Sequence, residues 1–341
     1  MSLDSVPKIL IIRRDNIGDL VCTTPLIHAL RRHIPDAWLG ALVNSYNAPV
    51  LDGNPDLDEV FVYTKAKHRG TDQSLPAILW QRLRMMHCLR RMQLDDVIIA
   101  TTSPQPRVVR LAQWLKPKRI IGYGDLKGLD VALPLDNANR HEVEDVFRVA
   151  SLYGIAGAPP ACRVHAPAAV TSAPILTIGI HISARKPSQR WPAQRFAETI
   201  RAIAAQGPAR IMLLWSPGAE DNPLHPGDDA KAREVMERVG AGATVIARPT
   251  QTLAELIAAL GECSLLICAD GGAMHLAAGL GLPIVCLFGN SGATRWRPWG
   301  VPYQLLQKPS LNVSDISVAE VTNAFSALQA GIPAPSAAVR S

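Results

Sequence analysis

Short apolar runs bounded by polar turns alternate along this chain with stretches of helical period. In the first half, Lys8 to Arg13, Trp38 to Val43, Val60 to Tyr63 and Asp96 to Ala100 predict strands, and Leu20 to His33 predicts a helix. A Pro- and Ala-rich segment, Ala156 to Pro174, interrupts the pattern. A second series follows it: strand Leu176 to Ile182, helix Ala193 to Ala205, strand Ile211 to Trp215 and helix Leu253 to Leu260. Strands that are apolar throughout, separated by helices, belong to parallel sheets covered on both faces, so the chain reads as two Rossmann-like α/β layers. Two layers of domain size imply a cleft between them, a preferred place for a small ligand. The domains expected are residues 1–165 and 166–330, followed by a Pro-, Ala- and Ser-rich tail at 331–341 expected to be disordered.

The densest stretch is Leu265 to Phe288, LLICADGGAMHLAAGLGLPIVCLF. Its pattern predicts a buried strand ending at Cys268, a turn at Asp270-Gly271-Gly272, a helix from Met274 to Leu280 and a second strand from Ile284 to Phe288. Free N–H groups at the helix mouth suit phosphate, and Asp270 and His275 flank it. The same residues also fit a plainer reading, with Asp270 as the helix N-cap and His275 as a satisfied polar residue of the first turn. Near the N-terminus, ILIIRRDNIGDLVCTTPLIHAL puts a strand, a polar loop and a helix start in succession. It lacks G-x-G-x-x-G, which removes the main support for a dinucleotide-dependent dehydrogenase. Asp19, beside Gly18, is here either a helix cap or a carboxylate able to accept a proton.

Leu75 to Met92 forms a third notable segment, a predicted helix carrying Leu79, Leu83 and Met86 with Arg82, Arg84, Arg90 and Arg91. Basic amphipathic helices lie on anionic membranes, and an apolar stripe equally packs a helix on a sheet; both hold together if the arginines face outward. The whole chain has 341 residues, 48% hydrophobic and 19% charged, which suits a folded two-domain protein. The longest stretch without a formal charge, Gly271 to Thr294, is broken by glycines and Pro283, so no membrane span is expected. Val6 to Ile12 runs straight into Arg13 and Arg14, unlike a secretory signal, and a cytoplasmic location is expected. Six cysteines without any CxxC pair predict neither disulfides nor a zinc site. The net charge of +6 favours polyanionic partners, and the lack of a nucleic-acid motif directs this towards nucleotide phosphates or anionic lipid.

Taken in order, ILIIRRDNIGDLVCTTPLIHALR, NPDLDEVFVY, HISARKPSQRWP, ADGGAMHLAAGLGLPIVCLFG and RWRPWG resemble glycosyltransferase family 9, the heptosyltransferases of lipopolysaccharide core assembly. The resemblance runs from about Ile9 to Trp299. It implies a GT-B fold, two Rossmann-like domains with parallel sheets facing across a cleft, the N-terminal one binding acceptor and the C-terminal one donor. It also implies an inverting transfer from ADP-L-glycero-D-manno-heptose to the inner core of lipopolysaccharide, with peripheral contact to the anionic inner membrane on its cytoplasmic face. By this likeness Asp19 is the catalytic base, and Arg13 and Gly18 lie on the acceptor side. Lys186, Arg190, Asp270, Gly271, Gly272 and His275 lie on the donor side, the two glycines at diphosphate-binding amides. Relatives often carry Ser or Thr where Gly271 stands, and Lys where Gln189 stands, so cationic support for the leaving group falls to Arg185, Lys186 or Arg190. No metal and no cofactor beyond the nucleotide-sugar substrate is implied, and no nucleic acid partner. Two other readings remain: a GT-B enzyme using another nucleotide sugar on a glycolipid, and a non-catalytic nucleotide-sugar binding protein, which has no need of a carboxylate at Asp19.

Overall fold

The computed structural model describes residues 6–63, 75–136, 138–167, 176–222 and 226–331; the tail expected to be disordered, from 332 onward, and part of the Pro- and Ala-rich segment lie outside them. The chain divides into two compact units, Met1–Val164 and His165–Ser341. The first contains β1 (Lys8–Arg13), α1 (Ile17–Val21), α2 (Thr24–His33), β2 (Trp38–Asn44), β3 (Glu59–Tyr63), α3 (Leu75–Arg91), β4 (Asp96–Ile99), α4 (Pro106–Leu115), β5 (Arg119–Tyr123), β6 (Val131–Leu133) and α5 (Glu142–Phe147). The second contains β7 (Thr177–His181), α6 (Ala193–Ala204), β8 (Arg210–Trp215), α7 (Asp229–Val239), β9 (Val245–Pro249), α8 (Leu253–Gly261), β10 (Leu265–Ala269), α9 (Gly272–Gly279), β11 (Ile284–Phe288), α10 (Ala293–Trp296), β12 (Tyr303–Gln307) and α11 (Val318–Gln329).

Each unit has one six-stranded sheet, ordered β3-β2-β1-β4-β5-β6 in the first and β12-β11-β10-β7-β8-β9 in the second. All neighbours pair in parallel. The fold class is therefore the α/β, doubly Rossmann-like one expected. The central strands are the ones the apolar runs announce: β10 and β11 are buried at every residue, and β1 at all but Lys8. The edge strands β6 and β9 lie outside the sequence pattern because only one flank is paired; in β9 Ala247, Arg248 and Pro249 are all exposed.

One expected helix is in fact two. The period of Leu20 to His33 predicts one helix, but α1 ends at Val21 and α2 begins at Thr24. Pro25 has no N–H to give to the carbonyl of Val21, so the helix cannot propagate through it. The Thr24 hydroxyl donates to that carbonyl instead, at 2.7 Å, and in turn accepts from the backbone N–H of Arg163.

The two cores are separate. In the first unit, Leu10, Ile12, Val97 and Ile99 of the sheet pack with Leu89 of α3 and Val108, Val109 and Ala112 of α4. In the second, Trp191 is fully buried, stands edge-on to Phe196 at 4.9 Å between centroids and donates its indole N–H to Ile316 at 2.9 Å. This fixes the carboxyl end of the HISARKPSQRWP segment. No helix among the described residues is long and apolar enough to cross a membrane.

Candidate functional site

In the first unit the strand order reverses between β1 and β4, and open parallel sheets bind ligands at the carboxyl ends of strands beside such a reversal. Arg13 closes β1 at that point. Its side chain is only 2% exposed and reaches three carboxylates: Asp15 Oδ2 at 3.2 Å, Asp19 Oδ1 at 2.8 Å and Glu142 Oε1 at 2.7 Å. It also donates to the carbonyl of Ala100, just past β4. Burial opposes the charge on this guanidinium, but Glu142, Asp19 and Asp15 together outweigh it and hold the group ionised beyond an ordinary arginine.

Asp19 is the third residue of α1, whose N-cap is Asn16. Its Oδ2 accepts from the Asn16 backbone N–H at 3.0 Å and from the Asn16 amide at 2.9 Å. A carboxylate offers about four lone-pair directions. Arg13 takes one on Oδ1 and Asn16 takes those on Oδ2, so one direction on Oδ1 remains, and the side chain keeps 13% of its surface exposed. Asp19 is thus part of a capping box and also a fixed acceptor with a lone pair to spare. These two descriptions are compatible.

Arg13 and Gly18, expected on the acceptor side, are both buried, Gly18 inside α1 and Arg13 behind its three acids. Asp15, Glu142 and the threonines behind them join the site although no sequence motif singles them out. Thr101 donates to Asp15 at 3.0 Å, and Thr102 donates to Glu142 at 3.3 Å. Glu142 opens α5, where a carboxylate in the first turn is favoured by the helix dipole. The signal available for it was the acid-rich start HEVED, 129 residues from Arg13 in sequence.

The second unit also reverses its strand order, between β7 and β10. Here the loop after β7 is pinned almost residue by residue. Lys231 donates to Ile182 at 2.9 Å, Ser183 accepts from the Ser216 N–H at 2.9 Å, and Arg190 donates to Ala184 at 3.1 Å while pairing with Glu220. Gln189, buried, spends its amide on Asp270 Oδ2 and on Ser291, each at 2.8 Å. It therefore braces the loops after β10 and β11 and does not stand in for a free cation. What remains outward on the loop is Arg185 and Lys186, both exposed.

Helix α9 begins at Gly272, two residues ahead of the expected start, with Gly271 as an N-cap that has no side chain to occupy the first amides. The plainer reading of Asp270 as that cap does not hold: its carboxylate takes the Gln189 amide instead. His275 is buried in the first turn and meets the Trp296 ring edge-on at 6.0 Å. Under the loop, burial, and then the neighbouring Lys231 charge, lower the His181 pKa to about 4; burial lowers that of Lys231 to about 8.

Two glycines of this site differ sharply. A Cβ on Gly271 meets nothing, whereas one on Gly289 falls 2.3 Å from the carbonyl of Ser188. Gly271→Ser should therefore unfold within about 0.5 kcal/mol of the parent. Gly289→Ala should lose about 1–3 kcal/mol by forcing the two loops apart. Urea denaturation of both variants checks this, and equal midpoints would mean that the loops yield at no cost.

Comparison with known proteins bears on both halves. A family model described as Glycosyltransferase family 9 (heptosyltransferase) matches residues 82–315. Lipopolysaccharide heptosyltransferase 3 of Escherichia coli is 23% identical over 300 residues, covering 83% of each chain. The crystal structure of a family 9 glycosyl transferase from Veillonella parvula DSM 2008 superposes with a TM-score of 0.79 at 22% identity, over 97% of this chain and 99% of that one. The E. coli ADP-heptose lps heptosyltransferase II superposes with a TM-score of 0.76 at 19% identity, over 95% and 99%.

Proposed function

The chain belongs to glycosyltransferase family 9, and from that premise we propose that it transfers a heptose from an ADP-heptose donor to the core of lipopolysaccharide, with Asp19 as general base. The relatives' names support the sugar and the acceptor class. The observation that carries the catalytic part is the Asp19 carboxylate, held at both oxygens by Arg13 and Asn16 yet retaining a lone pair and exposed surface at the end of β1.

In this reading the donor diphosphate sits at the mouth of α9, on the amides that follow Gly271, with Arg185 and Lys186 as the outward cations. Asp270 orders the loop through Gln189 and does not touch phosphate. As the bond from the anomeric carbon to the diphosphate oxygen breaks, its electron pair leaves with ADP. Amides and cations aimed at those oxygens lower the barrier because that is where charge grows. The acceptor hydroxyl supplies the electron pair of the new glycosidic bond from the opposite face, inverting the centre, and its proton passes to Asp19. The reading includes a cytoplasmic location, at the membrane face where a lipid-anchored acceptor is presented.

Incubation with ADP-heptose and a panel of truncated core acceptors, read by mass spectrometry, should give product heavier by one heptose. Transfer from a UDP- or GDP-linked sugar in place of ADP-heptose would replace the donor assignment. Nucleotide-sugar binding with no transfer to any acceptor would leave only the binding-protein reading.

A further inference from the structure

Asp15 has more acceptor capacity than the fold uses. It lies between the end of β1 and Asn16, the N-cap of α1, and its side chain keeps 22% of its surface exposed, against 13% for Asp19. Both of its contacts fall on one oxygen: Oδ2 meets Arg13 Nε at 3.2 Å and accepts from the Thr101 hydroxyl at 3.0 Å. Among the described residues no group donates to Oδ1. Loops at strand ends are commonly mobile, but this one is tied down. The Asn44 amide donates to the carbonyls of Arg14 and Asp15, and the Asn47 amide to those of Asp15 and Asn16. Three successive carbonyls of the loop are therefore held by the end of β2 and the residues just beyond it.

Pairing with Arg13 does not account for the open oxygen. Asp19 and Glu142 approach that guanidinium to 2.8 and 2.7 Å, both closer than Asp15, and they would remain its partners if Asp15 were absent. A fixed, partly exposed carboxylate with an unoccupied oxygen is an acceptor for a donor that comes from outside the chain. We propose that Asp15 binds a second hydroxyl of the acceptor sugar, next to the one whose proton passes to Asp19, so that the site selects an acceptor presenting two neighbouring hydroxyls. Asp15 and Asp19 contact nitrogens of one planar guanidinium, which keeps them within the span of a single sugar ring. A hydroxyl donates to such an oxygen in a charge-assisted bond, whereas a phosphate or carboxylate brought to the same place is repelled. The reacting face of the acceptor is therefore a neutral diol. Two bonds to one ring also fix its orientation, which aims the attacking oxygen. The inference rests on Asp19 being the base and adds the chemistry of the face presented to it.

The test uses deacylated, truncated core oligosaccharides and analogues of them that each lack one hydroxyl. Asp15→Asn is isosteric and keeps an oxygen for Thr101. It should raise the acceptor KM about 10- to 100-fold, the effect of losing a hydrogen bond to a charged group, with kcat and the donor KM within about twofold of the parent. Asp15→Ala should act in the same direction, and urea denaturation should show both variants folded. One analogue should be as poor for the parent as the complete acceptor is for Asp15→Asn, and that variant should no longer distinguish the two, because they lack the two ends of one bond. An unchanged acceptor KM, or losses that simply add for every analogue, would overturn the role of Asp15. Calorimetry of oligosaccharide binding to the parent and to Asp15→Asn gives the same comparison without turnover. Failure of transfer appears in the parent, and failure of the base appears in Asp19→Asn, so neither is confused with failure of Asp15. Equal binding by the parent and Asp15→Asn, or no binding by the parent to any of the oligosaccharides, would also overturn it.

Discussion

Asp19→Asn is expected to lower kcat by roughly 10²–10⁴-fold, the usual contribution of a positioned base, while ADP affinity stays within about twofold of the parent. The substitution keeps one carbonyl oxygen at the position of Oδ2 or Oδ1, so α1 retains part of its cap. Losing a cap outright costs about 0.5–2 kcal/mol, which leaves the protein folded at assay temperature. This separates the two roles of Asp19. If it serves only the capping box and the Arg13 pair, denaturation midpoints fall and turnover of the folded fraction does not. If it also takes the acceptor proton, turnover collapses at nearly unchanged stability. Steady-state kinetics, calorimetry with ADP and urea denaturation on one preparation distinguish these, and near-normal turnover would remove Asp19 from the mechanism.

The largest stability effect should follow Arg13→Met. The methionine fills comparable volume but removes the guanidinium that Glu142, 1% exposed, pairs with. Breaking a buried pair by removing one partner costs about 3–5 kcal/mol, more than exchanging the whole pair for apolar groups, because the remaining charge has no water. The double variant Arg13→Met with Glu142→Leu should recover much of the loss. Urea denaturation of the single and double variants provides the measurement; a double variant no more stable than Arg13→Met alone would mean that lost packing, not the charge left behind, is the cause.

Much of this was legible in the residues. The apolar runs at Lys8–Arg13, Leu265–Ala269 and Ile284–Phe288 are strands because a parallel strand covered on both faces must be apolar throughout, and such a run is visible without any partner. The glycine pair at the mouth of α9 and the carboxylate after Gly18 were visible for the same reason: their chemistry is local. Pro25 was visible too, but the helical period around it masked the break that it imposes. The edge strand Val245–Pro249 was not legible, since its exposed side needs no apolar residues.

The sequence by itself determined the alternation of strand and helix, hence two parallel α/β sheets, and the kinds of residue available at their ends. It could not determine which of those residues share a neighbourhood. Glu142 reaches Arg13 across 129 positions because the chain after β6 returns, packing α5 against α2, and Gln189 reaches Asp270 across 81 because β7 lies beside β10. Arg13, expected on the acceptor side, is buried behind acids; Leu79 and Leu83, in a stripe that fitted either a sheet or a membrane face, are exposed. The reason is common to both. Periodicity fixes that a side chain has a face, whereas burial depends on what the rest of the chain places opposite it, and only the tertiary structure decides that.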